Sequence, residues 1–171
     1  LSSNGSDDIF IVKLDNLGNF LWGKSFGGTN IDQATSIALD LYGNILVTGS
    51  FQNSVDFDAG AASFTLASNG NADIFLAKYD SNGNFLWSKA IGGINYDTGL
   101  SVKTDFLGNI VVCGFFSDVV DFDPNTTIVN LSSLGSLDDM FILQLDNLGN
   151  FNWAKSIGSS GNDYESANAL A

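Results

Sequence analysis

Tryptophan recurs at Trp22, Trp87 and Trp153, spaced 65 and 66 residues apart. The residues around it recur as well. Asp8–Trp22 reads DIFIVKLDNLGNFLW, Asp73–Trp87 reads DIFLAKYDSNGNFLW, and Asp139–Trp153 reads DMFILQLDNLGNFNW. Asp8–Asp58 aligns on Asp73–Asp123 without a gap, and more than half of the positions are identical. Self-similarity at a fixed period is the mark of a modular array.

Each unit reads as four strands. The first is expected at Thr35–Leu41 and Leu100–Phe106, and the second at Ile45–Phe51 and Ile110–Phe116. The third is expected at Ile9–Asp15, Ile74–Asp80 and Met140–Asp146. The fourth carries the Trp, at Phe20–Phe26, Phe85–Ile91 and Phe151–Ile157. The first and second strands join at Gly43-Asn44 and Gly108-Asn109, and the third and fourth at Asp-x-x-Gly-Asn segments. Asp, Asn and Gly there supply side-chain-to-backbone bonds and positive φ, which tight hairpins need.

The third strand decides the packing. Phe75, Ala77 and Tyr79 line one face, and Ile74 and Leu76 line the other. A sheet with one wet face would alternate apolar with polar residues. A strand apolar on both faces is covered on both sides, most simply by the next copy of its own sheet. Four antiparallel strands per unit, stacked by repetition, define an all-β fold of β-propeller blades. The chain carries about 2.5 of them, an incomplete propeller. The register predicts a partial blade over 1–33, holding the tail of an insertion plus strands three and four. Complete blades follow over 34–97 and 98–163, and 164–171 is expected to be the first strand of a further blade. Blade repeats usually run about 40–50 residues. The surplus lies at Gln52–Ala72 and Ser117–Asp138, around the motif VDFD, and is expected to form a loop with a short extra hairpin. Open ends would expose apolar blade faces. Neighbouring blades of the same protein, or another chain, are expected to cover them.

The motif D-x-F-x-x-K-x-D-x-x-G-N-x-x-W at Asp73–Trp87 is followed by IGG-x-x-x-D at Ile91–Asp97. S-I-A-x-D-x-x-G-N-I-x-V-T-G stands at Ser36–Gly49. Together these segments resemble the bacterial SBBP-type β-propeller repeat, here in a longer variant of about 65 residues. The resemblance covers nearly the whole chain. It implies a propeller in a large secreted or surface-attached bacterial protein, of a kind that often has separate adhesion or sorting modules. It does not imply one activity, because propellers host many.

Composition narrows the function classes. Nineteen acidic residues against six Lys give a net charge of −13, and there is no Arg or His. Phosphate recognition relies on Lys and Arg, so nucleic acid is not expected as a partner. No apolar run reaches the ~20 residues of a membrane span. Without His or Arg, and with Cys113 alone, the usual nucleophile–base and metal-hydrolase sets are missing. Every acidic pair is also repeated in the next unit, which favours structure or multivalent binding over a single reaction centre. Cys113 replaces Thr48 of the preceding unit and reads as a buried strand residue.

Two sets of aspartates remain as candidate ligands. In a blade, the loop between strands two and three shares a face with the loop between strands four and one. That face collects Asp56, Asp58, Asp121 and Asp123 from the VDFD motifs and Asp32, Asp97 and Asp163 from the GG-x-x-x-D loops. The first set offers oxygens to Ca²⁺, or caps turns. The second set is a candidate for loop-face binding. The repeated lysines read as solvated strand positions, and the tryptophans as packing between blades.

Three function classes stay open on the sequence. The first is a non-enzymatic secreted or cell-surface scaffold that contacts protein or surface glycan through the insertion-bearing face. The second is a Ca²⁺-dependent carbohydrate or surface-ligand module. The third is a segment of a propeller hydrolase or lyase whose active site lies elsewhere.

Overall fold

The computed structural model describes residues 1–134, 137–161 and 164–171. They form fourteen β-strands and no α-helix. The strands are β1 (Ile9–Leu14), β2 (Phe20–Phe26), β3 (Gln33–Leu39), β4 (Ile45–Phe51), β5 (Ser54–Asp56), β6 (Thr65–Ala67), β7 (Asp73–Tyr79), β8 (Phe85–Ile91), β9 (Thr98–Thr104), β10 (Ile110–Phe116), β11 (Val119–Asp121), β12 (Asn130–Ser132), β13 (Asp139–Leu145) and β14 (Phe151–Ile157). Among these residues no helix is long and apolar enough to cross a membrane.

Two four-stranded antiparallel sheets run in the orders β3-β4-β7-β8 and β9-β10-β13-β14. The pair β1-β2 repeats the outer half of the same sheet. Each insertion adds a three-residue hairpin, β5-β6 or β11-β12. Every residue of β4 and β7 is buried. Phe75, Ala77 and Tyr79 join a core shared with Ile9, Ile11 and Phe26 of the β1-β2 pair. From the opposite face of β7, Ile74 and Leu76 join a core shared with Val112, Phe141 and Leu143 of the next sheet. Apolar residues on both faces of one strand therefore fill two successive seams between blades.

The second and fourth strands lie where their apolar runs place them. The first strand sits two residues earlier than its apolar stretch suggests, at Gln33–Leu39 instead of Thr35–Leu41. Asp40 begins the turn: Gly43 N–H donates to its carbonyl (3.0 Å), and its carboxylate accepts from Tyr42 N–H (2.8 Å) and Asn44 N–H (2.9 Å). Leu41 and Tyr42 are thereby lifted out of the sheet. Asp105 does the same beside Phe106 and Leu107. Residues 164–171 form no strand, contrary to the expected first strand of a further blade. Among the described residues no second strand lies beside them to complete a ladder. They rest against the inner strands instead, through Ala167 N–H to the Gly114 carbonyl (3.3 Å) and Leu170 N–H to Ser101 Oγ (3.2 Å).

Tryptophan and lysine couple one blade to the next. The Trp22 ring lies over Gly83, whose φ of 78° places it in the left-handed region. A Cβ there would come within 3.0 Å of the indole. Trp87 lies likewise over Gly149. Trp22 and Trp87 thus meet the expected role in packing between blades, whereas Trp153 is exposed. Lys13 and Lys78 are not simple solvated positions. Lys13 Nζ donates to the Ser81 carbonyl (2.6 Å) and Lys78 Nζ to the Asn147 carbonyl (3.0 Å), each in the following blade. Lys78 is buried and also pairs with Asp40 at 2.9 Å. The third copy carries Gln144 at this position, and its Oε1 accepts from Trp153 Nε1–H at 3.0 Å.

The β1-β2 pair lacks the two inner strands that complete the other sheets. Phe10, Val12 and Leu14 are exposed, whereas their counterparts Phe75, Ala77 and Tyr79 are buried. A cavity of about 410 Å³ opens beside β1 and β3, lined in part by Phe10, Asp8 and Asp32.

Candidate functional site

The loop joining strands four and one meets the start of the insertion, as the topology of a blade requires. Asp32 makes the junction. Its Oδ2 accepts from Gly28 N–H (2.7 Å), and its Oδ1 accepts from Gln52 N–H (3.0 Å) at the exit of β4. Asp97 repeats this with Gly93 N–H (2.7 Å) and Ser117 N–H (3.0 Å). Both carboxylates are buried, and both oxygens of each are occupied. They fasten loops together and offer no free oxygen to a ligand at the surface. Asp163 lies outside the described residues.

The VDFD motif divides its residues by face. Val55, Phe57, Val120 and Phe122 point inward and are fully buried. The intervening aspartates shape the loop. Asp56 Oδ1 accepts from Asp58 N–H (3.0 Å) and Phe64 N–H (2.8 Å), and Asp58 Oδ1 accepts from Gly60 N–H (2.8 Å). Asp121 Oδ1 accepts from Asp123 N–H (3.1 Å) and Val129 N–H (2.8 Å), and Asp123 Oδ1 from Asn125 N–H (3.0 Å). A Ca²⁺ ion wants six to eight oxygens. Each loop supplies two carboxylates already committed to turn bonds. Among the described residues no group of three or more His, Cys, Asp or Glu is placed to hold a metal ion. This donor set fits turn formation better than calcium.

A third set of aspartates is not marked out by any local sequence motif. Asp8, Asp73 and Asp139 stand at or just before the start of the third strand in each copy. Each Oδ2 accepts one backbone N–H, from Asn4, Asn69 (2.9 Å) and Leu134 (2.9 Å) respectively. Each Oδ1 is buried without a hydrogen-bond partner. Asp73 packs so closely on Gly92 that a Cβ there would fall inside its carboxyl group. A detectable signal was the constant offset between this Asp and the first glycine of the loop: Asp8 to Gly27, Asp73 to Gly92, Asp139 to Gly158.

Burial raises the pKa of Asp73, Asp97 and Asp32. Asp73 is pushed up to about 6 by desolvation, with the Asn69 N–H opposing. Asp97 is also pushed up to about 6 by desolvation, against two N–H bonds, with Asp73 and Asp138 adding repulsion. Asp32 shifts in the same direction for the same cause. The folded state therefore binds protons more tightly than the unfolded chain, and the stabilisation from protonation is lost as pH rises through about 6. The turn aspartates behave oppositely. Side-chain and backbone bonds from Asn19 hold Asp15 below its usual range, and bonds from Asn84 do the same for Asp80. Their contribution is lost as pH falls below the ordinary carboxylate range. Thermal melts should thus show the melting temperature dropping by several degrees between pH 5 and pH 8. Asp73→Asn should flatten that slope. A melting temperature that rises over this interval, or an unchanged slope in the variant, contradicts the assignment.

Stacked four-stranded antiparallel blades, coupled by repeated Trp–turn and Lys–turn contacts, define a β-propeller array. Residues 21–50 match the SBBP beta-propeller repeat family. That match spans most of a fourth strand and the first two strands of the next blade. The chain is 31% identical over 173 residues to an uncharacterized WD repeat-containing protein of Acanthamoeba polyphaga mimivirus, covering 95% of this chain and 12% of that protein. It is 26% identical over 110 residues to the regulatory protein FlaEY of Caulobacter vibrioides, covering 64% of this chain and 12% of that protein. The chain therefore spans 12% of the length of each of these curated relatives.

Proposed function

We propose that this chain is a non-enzymatic β-propeller segment that serves as an interaction scaffold in a larger secreted or cell-surface bacterial protein. The observation that carries the reading is the use to which its polar side chains are put. Asp32 and Asp97 fasten loops, Asp56 and Asp121 shape the insertion, and Lys13 and Lys78 bridge blades. Each recurs in the next unit, so the repeated chemistry builds blades. An extracellular setting and a bacterial source rest on the resemblance of the repeat. A relative described as a WD repeat-containing protein supports a role in protein contacts, because repeated blades present similar surfaces several times over.

Calorimetry with EDTA, and then with added Ca²⁺, tests this reading against a calcium-dependent binding module. The scaffold is expected to melt at the same temperature in both. A rise of several degrees on adding Ca²⁺ would replace it with the calcium module, since a ligand that binds only the native state stabilises it by mass action.

A further inference from the structure

The hairpin turns between strands one and two and between strands three and four emerge together, on the face opposite the insertions. Each is fixed by the same residues. In the turn after β3, Asp40 accepts from the N–H groups of Tyr42 and Asn44 and from Asn44 Nδ2 (2.8 Å). In the turn after β7, Asp80 repeats this set with Asn82 and Asn84. The two residues that follow the Asp contribute only backbone to these bonds. The turn after β7 fills them with Ser81 and Asn82, so the geometry places no demand for apolar side chains there.

The other described turns carry large apolar residues at these positions nonetheless: Leu17, Leu41, Tyr42, Phe106, Leu107 and Leu148, all exposed. Phe106 is 86% and Tyr42 79% accessible. The innermost pair adjoin, with Leu41 Cδ1 4.0 Å from where a Cβ on Gly108 would stand. Exposed apolar clusters rimmed by polar groups mark interaction sites, and aromatic anchors dominate the energetics of such contacts. The rim here is acidic. Asp15, Asp80, Asp105 and Asp146 stand part-exposed at the bases of the turns, Asp40 is buried against Lys78, and the whole chain carries a charge of −13. The insertion face draws Val55, Phe57, Val120 and Phe122 into the core and leaves Ile94 and Ile128 exposed, without a repeated pair of apolar residues at fixed turn positions.

We propose that this turn face is the docking surface for a protein segment that presents apolar side chains interleaved with Lys or Arg. The proposal deepens the scaffold reading, on which it rests, by moving its contacts from the insertion-bearing face to the turn face and naming the chemistry of the partner. Apolar anchors would sit on Tyr42, Phe106 and Leu107, while the cationic groups meet the turn carboxylates. Charge complementarity would set orientation and association rate. An anionic lipid surface is disfavoured by the same carboxylates.

The test uses a synthetic peptide of alternating Leu and Lys, with Leu/Glu and Ser/Lys peptides and phosphatidylcholine vesicles as comparisons. The variant combines Leu41→Ser, Tyr42→Asn, Phe106→Ser and Leu107→Asn, copying the protein's own polar turn. It is expected to melt like the parent and to bind the Leu/Lys peptide at least about tenfold more weakly. The parent should prefer Leu/Lys to either comparison peptide by a similar factor. Equal binding by parent and variant, equal binding of Ser/Lys, or turn-dependent capture by the vesicles in place of the peptide would each overturn the proposal. Should the fourfold variant melt early, Phe106→Ser alone is read instead, with weakening of about threefold expected and undiminished binding counting against the proposal. Peptide binding that EDTA abolishes would instead unseat the scaffold reading itself, so the two failures are distinguishable.

Discussion

Replacing Phe57 or Phe122 with alanine is expected to destabilise the protein by about 3–5 kcal/mol, as for other large aromatics removed from a packed core. Both side chains come from the insertion, which a blade of ordinary length lacks, yet both are fully buried. The Phe57 ring centroid lies 5.6 Å from Phe26, 5.5 Å from Phe51 and 5.1 Å from Phe75. Phe26 belongs to one blade, and Phe51 and Phe75 to the next, so the ring fills the seam between them. The Phe57 carbonyl is also held by Tyr79 O–H at 2.9 Å. Phe122 repeats the arrangement with Phe116 at 5.2 Å and Phe141 at 5.0 Å. Alanine would leave a cavity between two sheets, each fixed by its own ladder and unable to collapse into the gap. Urea unfolding of the two variants measures the cost. A loss below about 1 kcal/mol in both would show the insertion to be an appendage and not part of the core.

That expectation also marks where the sequence was hard to read. The blade itself was legible, because its signals are local. Asp-x-x-Gly-Asn fixes a turn over five residues, and Ile74 against Phe75 shows two buried faces within one strand. VDFD was harder. Its aspartates drew attention as ligands, while Val55 and Phe57 between them carry the packing. Alternation along an extended segment holds both messages and does not say which face meets the core. The first strand lies two residues before its apolar stretch because Leu41 looks like a strand residue, and only the bonds to Asp40 show it at a turn. Asp73 was missed because nothing local distinguishes a buried carboxylate from an exposed one; its burial depends on Gly92, a strand away. The bonds of Lys13 and Lys78 are invisible in the sequence for a related reason. Lys13 and Lys78 bond to residues 68 and 69 positions along the chain, and such contacts depend on how blades stack.

Lys78→Met is expected to cost about 3 kcal/mol, the lower end of the range for removing one partner of a buried ion pair. Methionine keeps most of the apolar stem and removes the charge. Lys78 Nζ stands 2.9 Å from Asp40 in its own blade and 3.0 Å from the Asn147 carbonyl in the next. It thus ties an inner turn to an outer turn across the seam. Asp40 would remain buried with its bonds from Asn44 and Tyr42, which is why the lower end applies. Lys13→Met supplies the comparison within the same repeat. Its bond to the Ser81 carbonyl lies in an exposed setting, so a cost below about 1 kcal/mol is expected, as for solvated pairs. Adding Asp40→Asn to Lys78→Met should recover part of the loss, because the isolated buried charge disappears with it. A double-mutant cycle reads that coupling directly. Equal costs for the two lysine variants, or no recovery in the double variant, would mean that the seam is held by Trp87 on Gly149 and its apolar neighbours without help from the buried charge pair.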